Sequence, residues 1–437
     1  MFETVRNAFK IKDLRKKLLY TFFTLIVVRI GSQLPVPGVK YEAIREMFNS
    51  QKSLDFFNQL TGGSFESMSI FALNITPYIT ASIIIQLLTI AIPKLEEMQK
   101  EGEDGRKKIA SITRYVTIGL SLIESIAMAV GFGRSGLIKD SAQLSTLHYV
   151  VCIIVVVAAL TAGSAVLMWL GERITEKGVG NGISIVLLIN IISGMPSDFA
   201  TLYSTFVAPK TPAKGVLAAV IILAILIVMV VLVCFLQDGE RRIPVQYSQK
   251  VSGRRTVGGQ STNIPLKVNT AGVMPIIFAS SLMQFPVIIA QLFGKSYEWT
   301  RYLSSSYWCR VEAPKYSIGL LVYIVLLIIF AYFYTSITFN PIEVADNLKK
   351  AGGVIPGITP GKSTSEYLNK ILNYIVFIGA VGLLIIALIP IMCTGFFNAS
   401  VSFGGTSIII IVGVVLETLK QIESQMCNRY YKGFLSE

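Results

Sequence analysis

Ten apolar stretches of nearly twenty residues each dominate this chain, at 18–34, 74–92, 115–133, 149–170, 183–203, 215–236, 271–293, 316–337, 371–393 and 406–426. A helix of about twenty residues crosses a hydrocarbon core about 30 Å thick. Backbone polar groups cannot stay unpaired in lipid, so such runs must be helical. The 53% hydrophobic content, with 35 glycines besides, exceeds what a soluble domain of 437 residues needs. The expectation is an all-α polytopic membrane protein with ten transmembrane helices. The first run follows Lys10, Lys12, Arg15, Lys16 and Lys17 and so imitates a signal peptide. Arg29 interrupts it, however, and it exits through Pro35-Val-Pro-Gly38 with no small-x-small cleavage site.

The net charge of +13 gains an address once the cations are placed on this scaffold. With the N-terminus inside, 26 of the 39 Lys and Arg fall on the cytoplasmic face and 11 on the other, while Arg29 and Lys420 lie within spans. Both termini are therefore expected in the cytoplasm. Ten spans divide into two groups of five, and an odd number per group inverts one half relative to the other. The expected organisation is a cytoplasmic segment at 1–17, an N-terminal half at 18–204, a C-terminal half at 205–427 and a tail at 428–437. The C-terminal half carries two long cytoplasmic loops, 237–270 and 338–370.

The chemical inventory offers no catalytic site, cofactor site or metal site. The single histidine, His148, stands at a span edge without the company a metal needs. Five cysteines (Cys152, Cys234, Cys309, Cys393 and Cys427) are scattered and never in CxxC spacing. The stretch Gly357-Ile-Thr-Pro-Gly-Lys-Ser363 resembles a phosphate loop, but the motif's first glycine would stand where Pro356 does, and no strand is expected before it. Charges within spans are few. Arg29 can snorkel outward, Glu124 lies halfway along the third span, and Glu417 and Lys420 are spaced to neutralise each other. That is too little for an ion-driven pump.

Three features stand out instead. Loop 237–270 holds Arg241, Arg242, Arg254 and Arg255 in a stretch that reads as a hairpin of 242–247 with 250–254. Loop 338–370 holds Lys349 and Lys350 at the end of an expected short helix, followed by a Gly/Pro-rich turn and Lys362. Either positive-inside topology with anionic lipid, or docking to something large and acidic, accounts for these charges. Residues 60–73 are too polar to cross and too apolar at their end for a solvent loop, which points to a re-entrant segment beside a cavity. The second span interleaves Thr76, Thr80, Ser82, Gln86 and Thr89 with isoleucines, of which Ile79 and Ile83 share one stripe. Isoleucines packing a helix interface or lining a lumen both fit.

Several longer motifs carry a family resemblance. They are Arg29-Ile-Gly31 with Pro35-Val-Pro-Gly38, Ser69 through Leu88, Gly178-Val-Gly-Asn-Gly-Ile-Ser184, Arg241-Arg242, Gln260 through Asn269 leading into Gly272-Val-Met-Pro275, Asn340 through Lys350, and Phe403-Gly-Gly-Thr-Ser407. The sequence resembles the SecY family of channel subunits of the bacterial protein translocase, essentially end to end. The resemblance implies two inverted five-helix halves clasped around an hourglass pore. A plug helix at about 60–72 would close it, taking in Gly62, Gly63, Ser64, Phe65, Ser69, Ile70 and Phe71. It implies a pore ring of Ile79, Ile83, Ile183, Leu187, Ile277 and Ile410, and a lateral gate between the second and third and the seventh and eighth spans. It implies docking of the SecA ATPase or a ribosome on Arg241, Arg242, Arg254, Arg255, Lys349, Lys350 and Lys362. Many relatives carry arginine where this chain has Thr359, which removes one docking contact. The implied partners are SecE, SecG, SecA, the ribosome, membrane lipids and the unfolded polypeptide in transit, with no direct nucleotide binding, and the implied place is the cytoplasmic membrane. The alternative class, an inverted-repeat transporter of a small molecule, requires a convergent charged site at mid-membrane, and none is readable.

Overall fold

The computed structural model describes residues 2–40, 61–134, 146–208, 212–247, 250–252, 255–257, 261–292, 298–304, 307–309, 314–397 and 405–433. Each of the ten expected spans falls on a helix. In chain order the helices are α1 (Phe2–Lys10), α2 (Lys12–Gly31), α3 (Thr76–Ala91), α4 (Pro93–Lys100), α5 (Glu103–Arg134), α6 (Thr146–Lys177), α7 (Gly182–Leu202) and α8 (Pro212–Asp238). After a set of strands come α9 (Met274–Leu292), α10 (Glu298–Leu303), α11 (Ile318–Thr338), α12 (Pro341–Lys350), α13 (Lys362–Phe397) and α14 (Gly405–Gly433). Among the described residues, six helices are long and apolar enough to cross a membrane, or seven if α3 and α4, bent by 106° at their junction, count together. Proline follows Ile92 at that bend and removes a backbone donor, which ends the ladder there.

Burial along each helix follows a stripe. On α2 the buried positions Leu14, Thr21, Thr24, Val28 and Gly31 share a face, while Phe22, Phe23, Val27 and Ile30 point outward, exposed. On α11 the buried set Gly319, Tyr323, Leu327, Ala331 and Thr335 repeats every four residues, and Leu321, Val325 and Ile329 are exposed. Outward apolar side chains, with glycine, alanine and threonine among the inward ones, suit a bundle solvated by lipid, where close helix approach replaces the hydrophobic drive. Helices α5 and α13 reach past the expected spans at their N-termini, because their polar first turns continue the same helix out of the apolar zone.

Helix packing repeats between the halves. In the first half α3 packs on α5, α5 on α6, α6 on α7, and α2 on both α6 and α7; in the second α9 packs on α11, α11 on α13, α13 on α14, and α8 on both α13 and α14. Numbering the spans one to five in each half gives the same five pairings twice. With five spans per half, the second copy of this pattern runs inverted. The halves meet where α7 packs on α14 and where α5 packs on α9.

The strands lie in the two basic loops. Strand β1 (Glu240–Tyr247) pairs antiparallel with β4 (Ser261–Lys267), with Arg242 opposite Pro265 and Ile243 opposite Ile264; β5 (Gly353–Val354), from the second loop, pairs on the other edge of β1. Between β1 and β4 a small hairpin joins β2 (Lys250–Ser252) to β3 (Arg255–Val257). The expected pairing of 242–247 with 250–254 is therefore corrected: β1 takes the more distant β4. Ile243 and Val245 then alternate inward beside Leu266, Ile355, Leu368, Ile371 and Ile375, a core that a short hairpin alone could not build. Asn340 caps α12 through its side chain, as the short-helix reading required.

A candidate pore and its closing segment

Five of the six ring residues meet in one apolar cluster. Ile79 and Ile83 of α3, Ile183 of α7, Ile277 of α9 and Ile410 of α14 pack together with Ile75, Ile185 and Phe278. These five come from four helices of a cluster that also draws on α2, α6 and α11, so it sits on the seam between the halves. Leu187 is buried on α7 but lies outside this cluster. The polar groups of α3 do not reach across the seam. Thr80 Oγ1 donates to the Thr76 carbonyl at 3.1 Å, Thr89 Oγ1 to the Ile85 carbonyl at 2.7 Å, and Gln86 Nε2 to Ser82 Oγ at 3.4 Å. Hydroxyls spent on their own helix leave a surface without directional grip.

The re-entrant segment packs against this cluster, and Ile70 and Phe71 belong to it. Residues 62–75 form successive turns rather than the implied plug helix; residue 60 lies outside the described residues. Positive φ values at Gly62, Gly63, Met68 and Asn74 account for this, since a right-handed helix cannot pass through them. The segment is tied down along its length. Val36 N donates to the Met68 carbonyl and Ile70 N to the Leu34 carbonyl, both at 2.8 Å, around a bridge between Pro35 and Ser69. Ser64, Ser69 and Phe65 are buried, and Phe65 joins Met68, Ala72 and Leu73 in a second core with Met128, Val156 and Leu160 of the third and fourth spans. Three glycines make room for close approach: Gly31 beneath the Phe71 ring, Gly163 beneath the Ile70 carbonyl, and Gly62 beside Asn190.

Sequence reasoning missed the polar side of this packing. Asn190 and Ser193 of α7 and Ser164 of α6 all hydrogen-bond the segment. The available signal was Asn190 itself, a lone amide inside an apolar span, which in lipid calls for a partner.

The basic loops present their charges outward. Arg241 and Arg242 are exposed on β1, and Arg242 is ion-paired to Glu240 with Nη2 to Oε1 at 2.6 Å. Lys349 and Lys350 are exposed in the last turn of α12, and Lys362 is exposed at the start of α13. Arg255 opens β3, and Arg254 lies outside the described residues. Thr359 is exposed, and its carbonyl accepts from Thr364 Oγ1 at 3.0 Å.

The span charges need one correction. Lys420 pairs with Asp238 at the end of α8, Nζ to Oδ1 2.7 Å, and not with Glu417, because the packing of α8 on α14 brings the two ends together. Arg29 is half-buried, with its Nη1 buried and unpaired among the described residues. A two-residue strand, β5, does precede the Gly357 turn, but Pro356 still occupies the glycine position. Among the described residues no group of three His, Cys, Asp or Glu could hold a metal ion, and His148 is exposed.

The same fold occurs in a solved protein-conducting channel, with a TM-score of 0.64 at 17% identity over 94% of this chain and 92% of that one. It recurs in Sec61 of a canine ribosome–channel complex from the endoplasmic reticulum, with a TM-score of 0.60 at 17% identity over 94% and 92%. Fold and helix packing together define a polytopic helical membrane protein of this architecture. The SecY family model matches residues 69–419, and the protein translocase subunit SecY of Streptomyces galbus is 44% identical over 451 aligned positions, covering all of both chains. The chain belongs to the SecY family.

Proposed function

We propose that this chain forms the protein-conducting channel of a translocase, passing unfolded secretory chains across the membrane and releasing apolar segments sideways into it. The observation that carries the reading is the seam: aliphatic side chains from four spans of both halves meet at one place, with Ile70 and Phe71 of the re-entrant segment laid on them. Ile79, Ile83, Ile183, Leu187, Ile277 and Ile410 form the constriction. Aliphatic side chains close around a moving peptide of any sequence without binding it, and they resist wetting when the pore is empty. The segment holding Gly62, Gly63, Ser64, Phe65, Ser69, Ile70 and Phe71 is the plug. Opening parts the halves where α5 meets α9, and α7 against α14 is the seam that stays closed.

The halves are 18–204 and 205–427, with 1–17 and 428–437 as cytoplasmic ends in a cytoplasmic-membrane protein. Arg241, Arg242, Lys349, Lys350 and Lys362 make one basic docking face, since β5 fastens the second loop to the sheet of the first, and Arg254 and Arg255 are assigned the same docking role from the sequence. SecA or a ribosome supplies the driving force there, and SecE and SecG complete the channel. The subunit performs no chemistry of its own. A small-molecule transporter is the weaker reading, because the seam is apolar where a substrate site would need convergent charges.

Cysteine placed at Ile79 or Ile277 tests this. A secretory chain stalled in transit and bearing one cysteine is expected to form disulfides with both positions. It is not expected to react with cysteine at Leu321, which faces outward on α11. Equal reaction at all three would sink the pore assignment.

A further inference from the structure

We propose that Asn74 and Asn190 are positioning residues of the gate: a buried amide latch that holds the re-entrant segment shut while the seam is dry and lets go once water enters. The inference rests on the reading of that segment as the plug and names what sets its release. Asn190 Nδ2 donates to Asn74 Oδ1 at 3.1 Å, and both residues are 2% exposed. Ser164 Oγ of α6 donates to the Asn74 carbonyl at 3.3 Å. At the other end of the segment, the one hydroxyl proton of Ser193 is shared between the Asn190 carbonyl at 2.7 Å, its main acceptor, and the Gly62 carbonyl at 3.4 Å. One helix, α7, therefore holds both ends of the segment through polar contacts, and apolar packing alone would give no such register.

The latch is also built to be weak. Asn74 takes a positive φ of 53°, a conformation that asparagine tolerates better than most residues with a side chain but that glycine adopts at less cost. Asn190 Oδ1 is buried and unpaired among the described residues. An acceptor left without a partner in a dry site is penalised, and that penalty vanishes when water reaches it. Water entering with a translocating chain thus stabilises the released amides more than the latched pair. A purely apolar contact would respond in the opposite sense, strengthening as water arrived.

Asn74→Gly tests the idea without backbone strain, because glycine accepts the positive φ. In the full channel complex reconstituted in planar bilayers without substrate, its resting ion conductance should rise about three- to fifteen-fold, the range one interhelical hydrogen bond is worth. The thermal midpoint in detergent should hold. Asn190→Ala added to Asn74→Gly should add nothing beyond the larger single effect, since both remove one contact. Oxidised Asn74→Cys/Asn190→Cys should stop translocation, and reduction should restore it. Wild-type resting conductance in Asn74→Gly, failure of the cysteine pair to oxidise, or full translocation by the oxidised pair would each overturn the latch. A wild-type complex that neither passes a secretory chain nor conducts when one is added would instead overturn the channel reading.

Discussion

At Gly163 the fourth span meets the Ile70 carbonyl so closely that a Cβ would collide with backbone, which cannot rotate away as a side chain can. Gly163→Val must therefore displace the segment or strain α6, at a cost of about 1–3 kcal/mol as in other overpacked sites. The expected outcome is a lower thermal midpoint together with a leaky channel. An unchanged midpoint and a tight channel would mean that the segment does not rest on α6. The matching position Gly31 differs in kind, since its neighbour is the Phe71 ring, a side chain able to move. Other single residues were legible from the sequence only when their partners were near in the chain. Asn340 capping α12 is such a case, whereas Lys420 found Asp238 on another helix and not the nearby Glu417.

At the scale of elements, the cytoplasmic sheet depends on a core drawn from both basic loops and the start of α13. Val245 is fully buried there beside Ile243, Leu266 and Leu368. Val245→Asp buries a carboxylate without a partner and should cost about 3–5 kcal/mol, enough to open the sheet locally. Limited proteolysis should then cut within 237–270, and binding of the SecA motor or the ribosome should fall, while the apolar spans still insert. Binding at wild-type strength by a chain that is cut there would show that docking does not need the sheet. The element pattern shows why apolar run length marked the helices and missed this register. A span is defined by its own apolar run. The pairing of β1 with β4 is settled by which residues face Leu368 and Ile371 on a distant helix. The same limit applied to the proposed ring: the Ile79 and Ile83 stripe was visible in the second span, but its sharing one apolar cluster with Ile183, Ile277 and Ile410 depends on helices distant in the chain. Residues 60–73 read as re-entrant from their polarity; of the positive φ values behind the turns at 62–75, Gly62 and Gly63 stood in the sequence as glycines, whereas Met68 and Asn74 gave no such warning.

On the scale of the whole molecule, two independent arguments meet. The cation count, 26 Lys and Arg against 11, argues for loops 237–270 and 338–370 on the same face as residue 1. The repeated five pairings of helices make the second half an inverted copy of the first if each half crosses five times. Both require β2 and α10 to lie on opposite sides of the membrane, since only α9 separates them. In a background without native cysteines, cysteine at Ser252 should resist a membrane-impermeant maleimide in intact cells and react after lysis. Cysteine at Glu298, exposed on α10, should react in intact cells. Labelling of both from outside would break the inversion, and labelling of Ser252→Cys alone would reverse the whole molecule and turn its basic face away from any cytoplasmic motor. Absolute orientation is thus the point on which charge and docking stand or fall together, while the inversion turns on whether the two positions label from opposite sides.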